Sequence, residues 1–119
     1  MTSIPIYDAA APIACTAASD ELAVRIEQLE QMRARLARIE RTDDGLLLHF
    51  PNGDDIDAQV RRFTLDEKGC CQFWGFAIDT TGDDLTLRWD GPPNVSAFMD
   101  ELHTFFESDQ PLTTFSGLL

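Results

Sequence analysis

The sequence predicts an α+β domain, a small three-stranded mixed sheet packed by two to three helices. Three observations lead there. Apolar residues recur at steps of three and four from Leu22 to Ile39, the period of an amphipathic helix. Two short apolar runs, Phe73–Asp79 and Leu85–Trp89, flank Thr80-Thr81-Gly82-Asp83-Asp84, the signature of a hairpin. The order helix, strand, helix, strand, strand, helix also contains one strand–helix–strand step, which calls for a right-handed crossover.

Taken in order, residues 1–12 read as irregular or briefly extended. Ser19 suits an N-cap, and Asp20 and Glu21 suit the positive end of the helix that follows. Its stripe of Leu22, Ile26, Leu29, Met32, Leu36 and Ile39 predicts a first helix ending near Thr42, with Arg38 and Arg41 at its negative end. Asp43-Asp44-Gly45 is a turn, Leu46–Phe50 a strand, and Pro51-Asn52-Gly53-Asp54 its stop. Ile56, Val60, Phe63 and Leu65 predict a second helix from Asp55 to Lys68, with Gly69 ending it. Leu85, Leu87 and Trp89 fall on one face of their strand. Gly91-Pro92-Pro93-Asn94 breaks the chain before a third helix bearing Val95, Phe98, Met99, Leu102, Phe105 and Phe106. Residues 108–119 read as an irregular tail that docks on the body or on a partner. All 119 residues make one domain, and a sheet this small leaves surface that a homodimer would cover.

Composition narrows the function. With 44% hydrophobic and 25% charged residues the chain is built to fold rather than to stay disordered. A net charge of −12 argues against attraction to nucleic acid or anionic lipid, and no apolar run approaches a membrane span. Fourteen of the 21 acids are Asp and the only lysine is Lys68, a pattern shared by proteins of salt-loving microbes and by Arg-biased genomes. The first residues lack a basic region and are interrupted by Pro5, Asp8 and Pro12, so they do not read as a secretory signal. A cytoplasmic location is expected, with Cys15, Cys70 and Cys71 as reduced thiols.

Those thiols are the residues best suited to carry chemistry. Cys15 precedes the first helix and the Cys70-Cys71 pair joins the second helix to a strand, so all three sit near ends of elements. Buried, inert cysteine explains a single such thiol well and an adjacent pair poorly. No Cys-x-x-Cys spacing is present, which disfavours zinc and thioredoxin-type redox chemistry. Three thiolates from two segments suit a soft ion, Hg(II), As(III) or Cu(I), better than Zn(II). A strained vicinal disulfide ranks below metal binding.

Ile13-Ala14-Cys15-Thr16, Asp44-Gly45-Leu46, Phe50-Pro51, Cys70-Cys71-Gln72-Phe73 and Gly91-Pro92-Pro93 together resemble a family of small, largely uncharacterised bacterial proteins. Its members carry Ala-Cys-Thr and Cys-Cys-Pro-Phe segments and are associated with mercury and arsenic resistance loci. The resemblance spans Ile13 to about Phe106 and implies that Cys15, Cys70 and Cys71 are the metal ligands. Gln72 stands where the family has proline, and Lys68-Gly69 where an acid usually comes closer to the pair.

An enzyme is the alternative. Breaking a carbon–mercury bond, as organomercurial lyase does, needs two thiolates and an acid, and Asp66 or Glu67 is the candidate acid beside Cys70 and Cys71. Surface solvation explains those acids more simply in so acidic a chain. A metal-free, dimerising interaction module is the third reading. His49 would complete a Cys3His site or serve as a hydrogen-bonded core histidine, the latter being the commoner role. Arg33, Arg35, Arg38 and Arg41 point around a helix and are expected to pair with Glu30 and neighbouring acids.

Overall fold

The computed structural model describes residues 2–4, 19–70 and 73–112. Strand β1 is Thr2–Ile4, helix α1 Ser19–Arg35, β2 Arg38–Arg41, β3 Gly45–Pro51 and helix α2 Asp54–Cys70. Strands β4, Gly75–Asp79, and β5, Asp84–Asp90, follow, and a 3-10 turn at Pro93–Val95 leads into α3, Ser96–Glu107. The α+β class is correct. The sheet is larger than expected: β2–β5 with the three-residue β1 added at one edge, in the order β1-β4-β5-β3-β2.

Every neighbouring pair is antiparallel, so the sheet is not mixed. The expected crossover is nevertheless present. β3 and β4, joined by α2, both run antiparallel to β5, so they run parallel to each other with β5 seated between them. The hairpin strand fills the gap that the crossover leaves.

Helix α1 ends at Arg35, short of the predicted Thr42. Ile39 continues the helical stripe by its spacing from Leu36, but it also alternates with Arg38 and Glu40, and pairing with Leu48 settles it as strand. Arg38 and Arg41 are therefore strand residues rather than helix caps. Helix α2 runs through Gly69 to Cys70, so the glycine does not stop it. Strand β4 starts at Gly75, after Phe73 and Trp74 have left the helix.

One side of the sheet carries the core. Leu46, Leu48 and Phe50 of β3, Leu85, Leu87 and Trp89 of β5, and Phe76 and Ile78 of β4 are buried on a shared face, as their register requires. Leu29 and Met32 of α1, Ile56, Val60 and Phe63 of α2, and Met99, Leu102, Phe105 and Phe106 of α3 join them in one cluster. Trp89 is its hub: the rings of Phe63, Trp74 and Phe76 each lie 5.4 Å from it. The opposite face, on which no helix lies among the described residues, presents Leu47, His49, Ala77, Thr86 and Arg88.

Residues 108–112 lie against α1, as a docking tail should. Leu112 is buried, its N–H donates to Glu30 Oε2 at 3.1 Å, and Arg33 Nη1 donates to the carbonyls of Gln110 (2.6 Å) and Phe105 (3.3 Å). Glu30 and Arg33 thus hold this segment instead of pairing with each other. Arg41 reaches Asp100 of α3 at 2.9 Å.

Candidate functional site

The sheet register sets the direction of both helices that flank the cysteine segments. The Ala37 N–H donates to His49 O at 2.7 Å, which ties the exit of α1 to the Pro51 end of β3, and α2 departs from that same end at Asp54. Strand β4 begins with Gly75 opposite Asp90, itself opposite Gly45, so α2 has returned to the Gly45 end by the time it finishes. Its 17 residues span about 25 Å, the length of the strand it covers. Helix α1 runs beside it the other way: Arg25 pairs with Glu67 at 3.1 Å, and Gln28, further along α1, donates to Asp66 at 3.0 Å. The start of α1 at Ser19 and the end of α2 at Cys70 therefore belong to the same end of the domain.

Cys15, Cys71 and the Cys70 side chain lie outside the described residues, so their sulfur positions and the three-thiol arrangement are not part of the observed geometry. What is described is the frame around the pair. The last turn of α2 is tied to the residue before β4: Trp74 Nε1 donates to Glu67 Oε1 at 3.1 Å, and Lys68 Nζ donates to the Trp74 carbonyl. Two consecutive side chains of the last turn of α2 thus hold one residue at the entrance of β4. These bonds join residues that flank the Cys70-Cys71 pair in the sequence.

The local charges oppose each other. Cys70 is the last residue of α2, at the negative end of the helix dipole, which disfavours thiolate there. Lys68 adds a positive charge in the same turn, a setting that favours thiolate, whereas the charge of Arg25 is balanced by Glu67.

Neither candidate acid has the surroundings of a proton donor. Glu67 is buried and engaged with Arg25 and Trp74. Asp66 is partly desolvated, which by itself raises its pKa, but hydrogen bonds from Gln28 and Arg62 and the charges of Arg62 and Arg25 outweigh this and hold it below its ordinary 3.8. The depressed value means that these contacts stabilise the fold fully above the ordinary aspartate value, and that their contribution disappears as pH falls through the lowered one. Unfolding midpoints of wild type and Asp66→Asn are expected to differ at neutral pH and to converge as pH drops from about 5 to about 2. A constant difference across that range would show that the carboxylate charge contributes nothing.

His49 is hydrogen-bonded as expected, through Nε2 to Glu40 Oε2 at 2.8 Å, and buried, but it lies on the helix-free face. Leu46, Leu48 and Phe50 take the inner positions of β3, so His49 must point the other way, and it lies towards the end of β3 opposite Cys70. A Cys3His site is thereby disfavoured. Beside it, Asp79, Asp83, Asp84 and Thr86 border a hollow of about 300 Å³. Among the described residues, no group of three or more His, Cys, Asp or Glu is gathered to hold a metal ion. His103 bonds Glu107 at 3.1 Å within α3. Among the described residues, no helix is long and apolar enough to cross a membrane.

The contacts that sequence reasoning missed are Arg25–Glu67, Gln28–Asp66 and the two bonds to Trp74. Arg25 carried a signal: it falls between Leu22 and Leu29 on the apolar stripe, where a charged residue requires a buried partner. No family description, curated protein or solved structure matches the chain.

Proposed function

We propose that this protein binds a soft thiophilic ion, Hg(II) or the related As(III) or Cu(I), through Cys15, Cys70 and Cys71. Its role is sequestration, delivery or sensing of the ion in the cytoplasm, in line with the resistance-associated proteins that its motifs resemble. One observation carries the reading. The start of α1 and the end of α2, which adjoin the cysteine segments in sequence, belong to one end of the domain, and Glu67 and Lys68 tie the last turn of α2 to Trp74. A frame fixed beside the pair supports the reading, because it leaves less chain to order when an ion binds. The partner is the ion itself; neither nucleic acid nor membrane takes part.

Binding is favoured over turnover because both nearby carboxylates are committed. A lyase needs an acid that is protonated at neutral pH, whereas Asp66 is held ionised and Glu67 is bonded to Arg25. The reduced protein, titrated with Hg(II) against a competing small dithiol, is expected to take up one ion per chain. Cys70→Ser/Cys71→Ser should weaken binding by roughly a thousandfold or more, about 4 kcal/mol. Cys15→Ser should weaken it as well. With an organomercurial, stoichiometric capture without release of the hydrocarbon is expected. Micromolar or weaker affinity for Hg(II), unchanged in the double variant, would sink the proposal.

A further inference from the structure

Strand β2 closes one edge of the sheet, with β3 on its inner side. The turn that joins them fixes which backbone groups are spent. The Thr42 N–H donates to Gly45 O at 2.9 Å, so Thr42 and Gly45 form a hydrogen-bonded pair, and the alternation of an antiparallel ladder makes Glu40–Leu47 and Arg38–His49 the next such pairs. The N–H and C=O of Ile39 and Arg41 consequently point away from β3, towards an edge on which no further strand lies among the described residues.

The side chains alternate too. Arg38 and Glu40 are exposed on the helix-free face, and Ile39 is half-buried on the inner face. A free edge carrying one sign of charge repels its own copy, which is how many edges are protected. This edge carries both signs two residues apart, and that is self-complementary in a single antiparallel register. A two-fold axis through Ile39 sets Arg38 opposite Glu40 of the partner subunit and Ile39 opposite Ile39 of the partner subunit. An axis through Arg38 or Glu40 sets like charges opposite each other, and an axis between Ile39 and Glu40 opposes Arg38 to Arg41 of the partner subunit.

The favoured register also fits the hydrogen bonding. Ile39, whose N–H and C=O face outward, would exchange both bonds with Ile39 of the partner subunit, while Arg38 and Glu40 meet across the closer, non-bonded positions where side chains approach most. Arg41 stays within its own subunit, on Asp100 and the carbonyls of Thr42 and Gly45.

We propose that two copies of this chain associate edge to edge through β2, with Ile39 on the two-fold axis and two reciprocal Arg38–Glu40 pairs, joining their sheets into one. A four-residue strand buries less than the roughly 1,000 Å² of a stable interface, and two chains of −12 charge repel, so the dimer is a weak one with a dissociation constant on the order of 100 μM. This inference uses no thiol and stands apart from the metal-binding proposal.

The test is sedimentation of the full chain from about 10 μM to about 1 mM, in excess reductant and about 0.15 M salt, where the Debye length is about 8 Å. The wild type should rise from the 13.3 kDa of one chain towards twice that mass. Arg38→Glu, which opposes like charges at both pairs, should weaken association roughly tenfold or more, and Arg38→Glu/Glu40→Arg should restore it. Amide exchange at Ile39 in the unaltered protein gives an independent reading: it should slow as concentration rises. The proposal is overturned by a wild type that stays at 13.3 kDa throughout, by Arg38→Glu associating as the wild type does, or by Ile39 exchange independent of concentration.

Discussion

Glu67→Ala is expected to remove about 3–5 kcal/mol of unfolding free energy. The carboxylate is buried beside an equally buried guanidinium, with Glu67 Oε2 and Arg25 Nη1 3.1 Å apart and both side chains about one-tenth exposed. Removing it strands the Arg25 charge in a poorly solvated site and takes the acceptor from Trp74 Nε1. The same change loosens two joints at once: α1 against α2, and α2 against the start of β4. A domain of this size has roughly 6–15 kcal/mol of stability in total, so the loss is a large fraction of it. In urea, with a slope of about 1–3 kcal/mol/M, the midpoint should fall by at least about 1 M. The double change Arg25→Met/Glu67→Leu should recover the part of the loss that comes from the stranded Arg25 charge, while the Trp74 Nε1–H stays without its acceptor at a cost of about 1–3 kcal/mol. A single variant within about 1 kcal/mol of wild type would show that water reaches the pair.

The outcome for these residues shows what the sequence could and could not carry. Helix α1, strand β3, the β4–β5 hairpin and α3 were legible because each combines a clear period with a turn signal of its own. Strand β2 was not, since Leu36 and Ile39 satisfy the helical spacing and only the contact with Leu48 decides between the two periods. With β2 unseen the sheet looked three-stranded, and with β5 unplaced the crossover implied a parallel neighbour that does not exist. At the candidate site the thiols were legible as chemistry but the roles of the acids were not. Asp66 and Glu67 read as solvated or catalytic, and what assigns them is a helix some 40 residues earlier, through Gln28 and Arg25. Pairings at that separation leave no periodic trace. Arg25 on an apolar stripe announced that a partner existed, without saying which carboxylate it was.

Gly45→Ala should be comparably severe, at about 3 kcal/mol or more, for a reason unrelated to glycine's conformational freedom. Among the described residues no glycine has positive φ, so alanine could adopt the backbone shape at this position. It lacks the space. A Cβ on Gly45 would lie 1.7 Å from the carbonyl oxygen of Trp89, 2.8 Å from its carbon and 3.0 Å from Asp90 Cα. All three are main-chain atoms of the neighbouring strand, so no rotamer change relieves the overlap, and β3 must move away from β5 where Gly45 pairs with Asp90. That movement strains the bond from the Gly91 N–H to Asp44 O and the bonds from Arg41 Nη1 and the Thr42 N–H to the Gly45 carbonyl, each 2.9 Å long. Trp89, whose carbonyl takes the collision, is also the hub of the aromatic core, so the displacement reaches Phe63 and Phe76. Gly69→Ala makes the matching control. Among the described residues nothing lies within 4 Å of its would-be Cβ, and in the last turn of α2 the change should stabilise by up to about 0.5 kcal/mol. Thermal and urea unfolding of the two variants should therefore move in opposite directions from wild type, and a Gly45→Ala protein as stable as Gly69→Ala would mean that the β3–β5 contact is looser than its geometry indicates.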